Sequence, residues 1–338
     1  MKFSCLLSIP LLALTCLGLE PPAFMGDWEG RFIDAPEGSW QANNPSIVAK
    51  IVGMPDGAFE VQFMNAFERR AEVDFRKTIS PSDGTLKFKS KAWTFEIEGD
   101  TLRGIRKQWV RKKMHDIPFE MKKVERLSPT LGRPAPEGAE DLFADGSLGK
   151  WHHKHGREAS WKVLENGVVE CWPKKSGNKQ GGDLFTKKHY RDCEIHLEFR
   201  LPYLPDRLGQ DRANSGLYIM NYEIQILDSY GFEANWTSCG ALYKVSPSKV
   251  NRSAPPGQWQ TYDIVFRAPR FDEAGKVTEH ATITVKHNGR LIHNEQEIFE
   301  ITQYFEINRP KDPPFDGPLE LQDHGHAIQF RNFWIREL

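Results

Sequence analysis

Apolar and polar side chains alternate along this chain in many short segments of period two, and no long segment repeats every 3.6 residues. The clearest alternation is NSGLYIMNYEIQILD at 214–228, which predicts two strands joined at Met220-Asn221. With the turn there, Tyr218 faces Glu223 and Gly216 faces Gln225. Leu217, Ile219, Ile224 and Ile226 then share one face, which must be packed. Asn214, Gly216, Tyr218, Glu223 and Gln225 share the other. An apolar face backed by amide, phenol and carboxylate is what a sheet lining a polar groove presents, and an antiparallel hairpin with one solvated face has the same pattern. Asp228 breaks the alternation, and a bulge near 226–227 is expected to return it to the groove side.

The same period organises the rest of the chain. Between 24 and 127 it predicts strands at 28–33, 46–52, 59–63, 70–75, 85–88, 93–97, 101–106 and 119–124. Turn signals stand at Pro55-Asp56-Gly57, Ser82-Asp83-Gly84 and Gly99-Asp100. Eight strands at that spacing make a small antiparallel barrel or meander, closed or nearly so. Its opening, GDWEG at 26–30, resembles the first strand of lipocalin-like barrels. Residues 128–140, SPTLGRPAPEGAE, hold three prolines and two glycines without periodicity and read as a linker. Strand signals resume at 161–163, 168–171, 193–200, the hairpin, 240–244, 259–267, 281–287, 290–294, 319–322 and 328–336. That many strands over 141–338 predict an all-β unit of two stacked antiparallel sheets, a jelly-roll β-sandwich with one sheet curved around a groove.

Charge narrows the partners. The 338 residues carry 45 basic and 46 acidic side chains, which argues against nucleic acid and anionic membrane surfaces. Aromatics make up 12% with 10 Trp, a mixture that suits a β protein handling sugars and equally suits Trp in β cores. After Lys2, the apolar run 3–19 is broken only by Ser4, Ser8, Pro10, Thr15 and Gly18. It has the length of a secretory leader, shorter than a membrane span, so 1–18 reads as a cleaved signal peptide and the location as periplasmic or secreted. Thr15 before Cys16 argues against a lipoprotein. The remaining Cys171, Cys193 and Cys239 are odd in number, so at least one is unbridged. Cys193 alternates with Ile195, Leu197 and Phe199 as a small core residue does.

Further polar groups are predicted to share the groove. If Leu319 and Leu321 are buried, then Glu320, Gln322 and His324 point the other way, and His324 before Gly325 would sit at a strand end on the rim. A histidine there can move a proton or bind a metal as neutral imidazole. Lys244 follows Ala241-Leu242-Tyr243 and either reaches a substrate oxygen or is solvated. Trp151-His152-His153-Lys154-His155 matches no common zinc spacing and reads as structural. Neither a phosphate-cradling glycine loop nor a G-x-S-x-G elbow is present.

Taken in order, DLFADGSLGKW at 141–151, RDCEIHLEFRLP, NSGLYI, YEIQILDSYG, CGALY, PPGQWQTYDIVFRAPRFD, HNGRLIHN, GPLELQDHG and FRNFWIREL resemble the 3-keto-disaccharide hydrolase domain family. The resemblance covers 141–338 and implies a concanavalin A-like jelly roll acting on glycosides whose C3 hydroxyl is oxidised to a ketone. Such a ketone acidifies the C2 hydrogen, so a base can form an enolate that expels the C1 aglycone, and water then adds. On this reading Glu223 is the base or a metal ligand, and His324 the proton carrier or second metal ligand. Asp228 orients or protonates, Gln225 and Gln322 hold hydroxyls, and Asn214, Tyr218 and Lys244 line the pocket. A divalent metal of unspecified identity on Glu223 and His324 fits that scheme; an organic cofactor is not expected. Two rivals stand beside it. Glu223-Ile-Gln225-Ile-Leu-Asp228 has the layout of the E-x-D-x-x-E signature of laminarinase-type retaining glycosidases, which need two carboxyls about 5–5.5 Å apart. Here Gln replaces the middle Asp and Asp the last Glu. A non-catalytic glycan-binding module is the other.

Overall fold

Period-two segments separated by Gly, Pro and Asp turns pair as antiparallel sheets, and this chain forms them almost throughout. The computed structural model describes residues 20–67, 73–172, 181–299 and 316–338. The expected leader at 1–18 lies outside the described residues, as does the start of the expected strand at 70–75.

The first sheet comprises β1 (Gly26–Phe32), β2 (Ser46–Gly53), β3 (Phe59–Met64), β4 (Phe75–Ile79), β5 (Lys87–Lys89), β6 (Trp93–Glu98), β7 (Thr101–Val110) and β8 (Lys113–Val124). Its order, β4-β3-β2-β1-β8-β7-β6-β5, leaves β4 and β5 as its edges. The sheet curls until the rings of Phe75 on β4 and Phe88 on β5 meet with centroids 5.2 Å apart. The interior is filled by Trp28, Phe63, Trp93, Phe95 and Phe119, with Phe63 stacked on Trp93 at 5.1 Å. Among the described residues this barrel is therefore a packed core, with no wide ligand chamber of the kind large barrels enclose. Trp28, from the GDWEG opening, has no exposure, and its indole N–H donates to the Phe24 carbonyl.

The remaining strands are β9 (Glu140–Asp141), β10 (Trp151–His152), β11 (Lys162–Val163), β12 (Val169–Glu170), β13 (Leu184–Thr186), β14 (Cys193–Arg200), β15 (Ser215–Ile219) and β16 (Tyr222–Ile226). They continue with β17 (Trp259–Arg267), β18 (Arg270–Phe271), β19 (Val277–Glu279), β20 (Ala281–His287), β21 (Arg290–Ile298), β22 (Leu319–Leu321) and β23 (Gln329–Glu337). One sheet runs β10-β13-β22-β15-β16, the other β11-β12-β23-β14-β17-β20-β21 with β9 beside β23. Strands β18 and β19 form a separate ribbon. The expected strand at 240–244 is instead a turn in which only Leu242 makes bridges, to Ile224 and to Ser246, because Gly240 and Lys244 take left-handed φ values of 80° and 59°.

Leu217, Ile219, Ile224 and Ile226 are at most 1% exposed and pack with Leu197, Phe199, Ile264 and Phe266 of the facing sheet in one core. Each such side chain contributes about 1.5–3 kcal/mol of transfer free energy, enough to fix the register of a hairpin whose slippage would expose all four. Cys171, Cys193 and Cys239 are buried free thiols.

The stretch 128–140 connects the two units but is no free tether. Thr130 donates to Asp263 at 2.6 Å, the Gly132 N–H to Glu198 at 2.5 Å, and Arg133 to both Glu194 and Asp263. It lies strapped across the outer face of the larger sheet. The barrel also grips loops of the sandwich directly. Tyr230 donates to Asp27 at 2.7 Å, Gln62 to the Gly231 carbonyl, Arg212 to the Gly53 carbonyl, and the Asp56 N–H to Asp206. Tyr203 and Tyr230 belong to the barrel's own hydrophobic cluster. Gly231 is required at that contact: its φ is 79°, and a Cβ there would meet Val52 Cγ2 at 2.2 Å.

Candidate active site

The hairpin β15–β16 turns at Met220-Asn221, both at positive φ (51° and 76°), the geometry of a tight two-residue hairpin turn. Its register pairs Tyr218 with Glu223 and Gly216 with Gln225. On the other side, β22 pairs with β15 so that Glu320 stands beside Tyr218, and the Gln322 N–H donates to the Gly216 carbonyl. Glu223, Tyr218 and Glu320 thus form one row across the sheet, with Gln225, Gly216 and Gln322 in the row below. All point away from the Leu217–Ile226 core.

Gly216 creates the seat for the acid. A Cβ at that position would lie 2.7 Å from Glu223 Oε1 and 3.1 Å from the Tyr218 ring, so only a hydrogen lets the carboxylate and phenol fold over the backbone. Glu223 and Tyr218 are each 1% exposed. Gln322 Nε2 donates to the Tyr218 hydroxyl at 3.4 Å. Tyr243, whose backbone N–H donates to the Glu223 carbonyl, joins this group. Burial raises the pKa of its phenol and the Glu223 charge raises it further, so the O–H remains a donor at neutral pH.

The other expected site residues divide. Gln225 shares the polar face by register, yet its amide is engaged: Nε2 donates to Gln210 Oε1 of a neighbouring loop at 2.8 Å, and Oε1 accepts the N–H of the next residue, Ile226. Asn214 donates from Nδ2 to the Gln210 carbonyl, while its N–H donates to His326 Nδ1 at 3.1 Å. Both residues therefore organise the 209–212 turn beside the groove. Lys244 is exposed, with its ammonium 5.2 Å from the Tyr243 ring.

His324 lies past the end of β22, exposed, its ring parallel to that of His326 at 6.3 Å. His326 escaped the sequence reading because it follows Gly325, where alternation ends. Since its Nδ1 accepts from Asn214, the proton sits on Nε2, which faces Asp211 at 3.5 Å. Burial lowers its pKa, with Asp211 opposing, which favours the neutral ring.

Asp228 requires a correction. No bulge turns it into the groove; its side chain has no exposure and receives Arg212 Nε at 2.7 Å and the Tyr230 N–H at 3.2 Å. Burial raises the pKa of its carboxyl and Arg212 counteracts that. It belongs to the lock between sandwich and barrel, because the chain after Ile226 leaves the sheet towards β2 of the barrel. The pair Glu223 and Asp228 therefore does not flank a common space, and the arrangement that a retaining glycosidase needs is absent at this position.

The histidine tract at 152–155 is structural in its central member: His153 is 1% exposed, bonded to the Asp183 carbonyl and the Ser160 hydroxyl, both at 2.9 Å. Among the described residues, no three or more His, Cys, Asp and Glu side chains come together as a metal-holding group. Glu223 and His324, the two expected ligands, belong to no such group among the described residues. No helix among the described residues is long and apolar enough to cross a membrane.

Comparison with known proteins agrees with this fold. Residues 138–336 match the model of the 3-keto-alpha-glucoside-1,2-lyase-like domain. A crystal structure from Parabacteroides distasonis, named "putative glycosyl hydrolase", aligns at 36% identity with a TM-score of 0.54, covering 61% of this chain and 86% of that one. A second structure of the same organism and description aligns at 18% identity and a TM-score of 0.43, over 60% of this chain and 94% of that one. No curated protein matches the chain.

Proposed function

The chain belongs to the 3-keto-alpha-glucoside-1,2-lyase-like family, and from that premise we propose that it cleaves 3-keto-glycosides by elimination followed by hydration. Membership makes it a glycoside-processing enzyme; the keto-sugar mechanism is our reading of the site. The observation that carries it is the Glu223 carboxylate folded over Gly216 against Tyr218, a base beside phenol and amide donors.

In this mechanism Glu223 takes the proton from C2 of the 3-keto sugar, and the C–H electron pair moves into the C3 carbonyl as an enolate. The Tyr218 hydroxyl and the Gln322 amide supply hydrogen bonds to that oxygen, where negative charge develops. Collapse of the enolate breaks the C1–O bond and leaves a C1=C2 double bond conjugated to the ketone. His324, at the rim, gives a proton to the departing oxygen. Water adds its hydroxyl at C1 and gives its other proton back to His324, C2 recovers a proton from Glu223, and the net result is hydrolysis. Lys244 and Tyr243 border the sugar. Export through the leader at 1–18 would place this activity outside the cytoplasm.

The deciding experiment is turnover of 3-keto-trehalose beside trehalose, followed by NMR. The expected result is cleavage of the keto sugar alone, with deuterium from D2O appearing at C2 of the product. Cleavage of trehalose at a comparable rate, or of the keto sugar with no isotope effect from deuterium placed at C2 in a single turnover, would refute the elimination.

A further inference from the structure

The family match begins at residue 138, so membership leaves the barrel at 26–124 without a role. Its contacts with the sandwich supply one. They fall on two loops that flank the hairpin β15–β16 along the chain, 201–214 before it and 227–238 after it. At the first loop, Tyr203 is buried in the barrel's hydrophobic cluster and the Asp56 N–H donates to Asp206. Arg212 donates there to the carbonyls of Gly53 and of Pro205, at 3.0 and 3.3 Å. At the second, Tyr230 donates to Asp27, Gln62 donates to the Gly231 carbonyl, and the Lys50 ammonium lies 4.9 Å from the centre of the Tyr230 ring.

One side chain joins both loops to the hairpin. Gln210 Nε2 donates to the Thr237 carbonyl at 3.0 Å, and its Oε1 accepts from Gln225 Nε2 at 2.8 Å and from Asn214 Nδ2 at 3.3 Å. Its main-chain carbonyl accepts from Asn214 Nδ2 at 2.8 Å. These two partners bracket the seat of the proposed base. Gly216 lies two residues after Asn214 and is the register partner of Gln225, so a shift of either reaches the glycine beneath the Glu223 carboxylate.

We propose that the barrel is a positioning part of the catalytic unit: by holding the two loops it fixes Gln210, and Gln210 fixes the open end of the hairpin on which Glu223 sits. This role rests on the elimination reading in so far as Glu223 is the base. Proton abstraction from carbon tolerates little displacement, since about 1 Å of misplacement costs on the order of 10²-fold in rate. Hydrogen bonds from barrel to loop and from loop to hairpin set direction as well as distance, which is what such a base requires of its supports. Gln210 and its barrel anchors act through Asn214 and Gln225 and are therefore positioning residues.

The test is a double-mutant cycle between barrel and hub, read on 3-keto-trehalose as kcat per folded molecule. At Gly53 an added Cβ would lie 2.4 Å from the Tyr203 hydroxyl oxygen and 2.6 Å from its ring, so Gly53→Ala pushes the first loop from the barrel side. Gln210→Met keeps the length of the side chain and removes its hydrogen bonds. We expect each to lower kcat about tenfold with KM within about threefold of wild type. The double variant should lose no more than the larger single loss, because both changes act along one route. A role in folding alone leaves kcat per folded molecule at the wild-type value. That result in Gly53→Ala, or losses that multiply in the double variant, overturns the proposal. Tyr230→Phe, which deletes only the hydroxyl bonded to Asp27, takes the place of Gly53→Ala if that variant does not fold. Amide hydrogen exchange reads the same coupling without substrate. Faster exchange at 209–216 and 223–226 in the barrel-side variant, with β14 and β17 unchanged, supports the positioning even if the wild type cleaves no keto sugar, an outcome that would sink the elimination reading alone. Unchanged exchange at 209–216 and 223–226 overturns the positioning.

Discussion

The two outer faces of the sandwich carry the same kinds of residue in the same alternation. On β14, Glu194, His196 and Glu198 alternate with the buried Cys193, Ile195, Leu197 and Phe199, much as Tyr218 and Glu223 alternate with the aliphatic residues of the hairpin. On the β14 face a remote segment covers the polar row. His196 sits 2.8 Å from Asp263 and 3.5 Å from Glu198, and Glu198 also accepts from Arg331, Asn332 and the connector's Gly132 N–H. Burial works against the Glu198 carboxylate, yet these donors outweigh it and hold its pKa at about 2. On the hairpin face the carboxylate rests on a glycine and a phenol. One row is a lock that holds the connector; the other holds the proposed base. Their difference lies in what docks on them.

Substituting one acid from each row breaks the comparison most sharply. We expect Glu223→Gln to reduce kcat/KM on 3-keto-trehalose by about 10³-fold, the scale of a lost general base, with its melting curve close to wild type. Glu198→Gln should do the reverse. It leaves the buried His196 and the partly exposed Arg331 with a weaker partner, which costs stability on the order of 3 kcal/mol, while activity per folded molecule is retained. Chemical denaturation and turnover measured on both variants check this, and an inactive, fully stable Glu198→Gln would reverse the assignment of the two rows.

How far these faces were legible in the sequence follows from the same contrast. The hairpin's register, its turn and its buried set were legible because they depend on side chains within fifteen residues. The role of Glu198 was not, because its partners Gly132 and Arg331 lie far along the chain on either side. Asp228 failed for that reason: its neighbours Arg212 and Gly53 belong to a loop and to another unit. Short strands such as β10 and β13, two and three residues long, carry too little alternation to be seen. His326 was hidden by the glycine that ends its strand's period.

Asp228 supplies the next largest effect. Arg212 and Asp228 are 1% and 0% exposed and paired, and Arg212 also donates to the barrel's Gly53 carbonyl, so Asp228→Ala leaves a buried guanidinium without its carboxylate. The expected cost is about 3–5 kcal/mol of unfolding free energy, with kcat of the remaining folded enzyme within a few-fold of wild type. A fully folded Asp228→Ala that turned over nothing would return this carboxylate to catalysis. A smaller effect should come from Gly216→Ala: pushing the Glu223 carboxylate off its seat by a fraction of an ångström is expected to lower kcat by about 10–100-fold while KM changes little.

The smallest effect is the pH dependence of the lock, and its sign separates the groups involved. Burial works against charge on Asp263 and on His196, but their mutual hydrogen bond and other partners lower the pKa of the acid and raise that of the base. Acids with depressed pKa, Glu198 and Asp263, contribute stability that is complete above the ordinary carboxyl range and is lost as pH falls towards 2. His196, raised above its ordinary 6.5, contributes stability that is complete below 6.5 and is lost as pH climbs through its raised value. His287 has no place in the lock and behaves oppositely: burial, then Arg252, lowers its pKa to about 3, so its contribution is complete above 6.5 and is lost on acidification. Each group changes the unfolding free energy by at most about 1.4 kcal/mol per pH unit while it titrates. Denaturation of the wild type from pH 2 to 9 should therefore show stability falling on both sides of an intermediate maximum. His196→Gln should lose the decline on the alkaline side attributable to this residue and keep the His287 slope between 6.5 and 3. If His196→Gln left the alkaline limb unchanged, the charge on the lock's histidine would not be what holds the connector to the sheet.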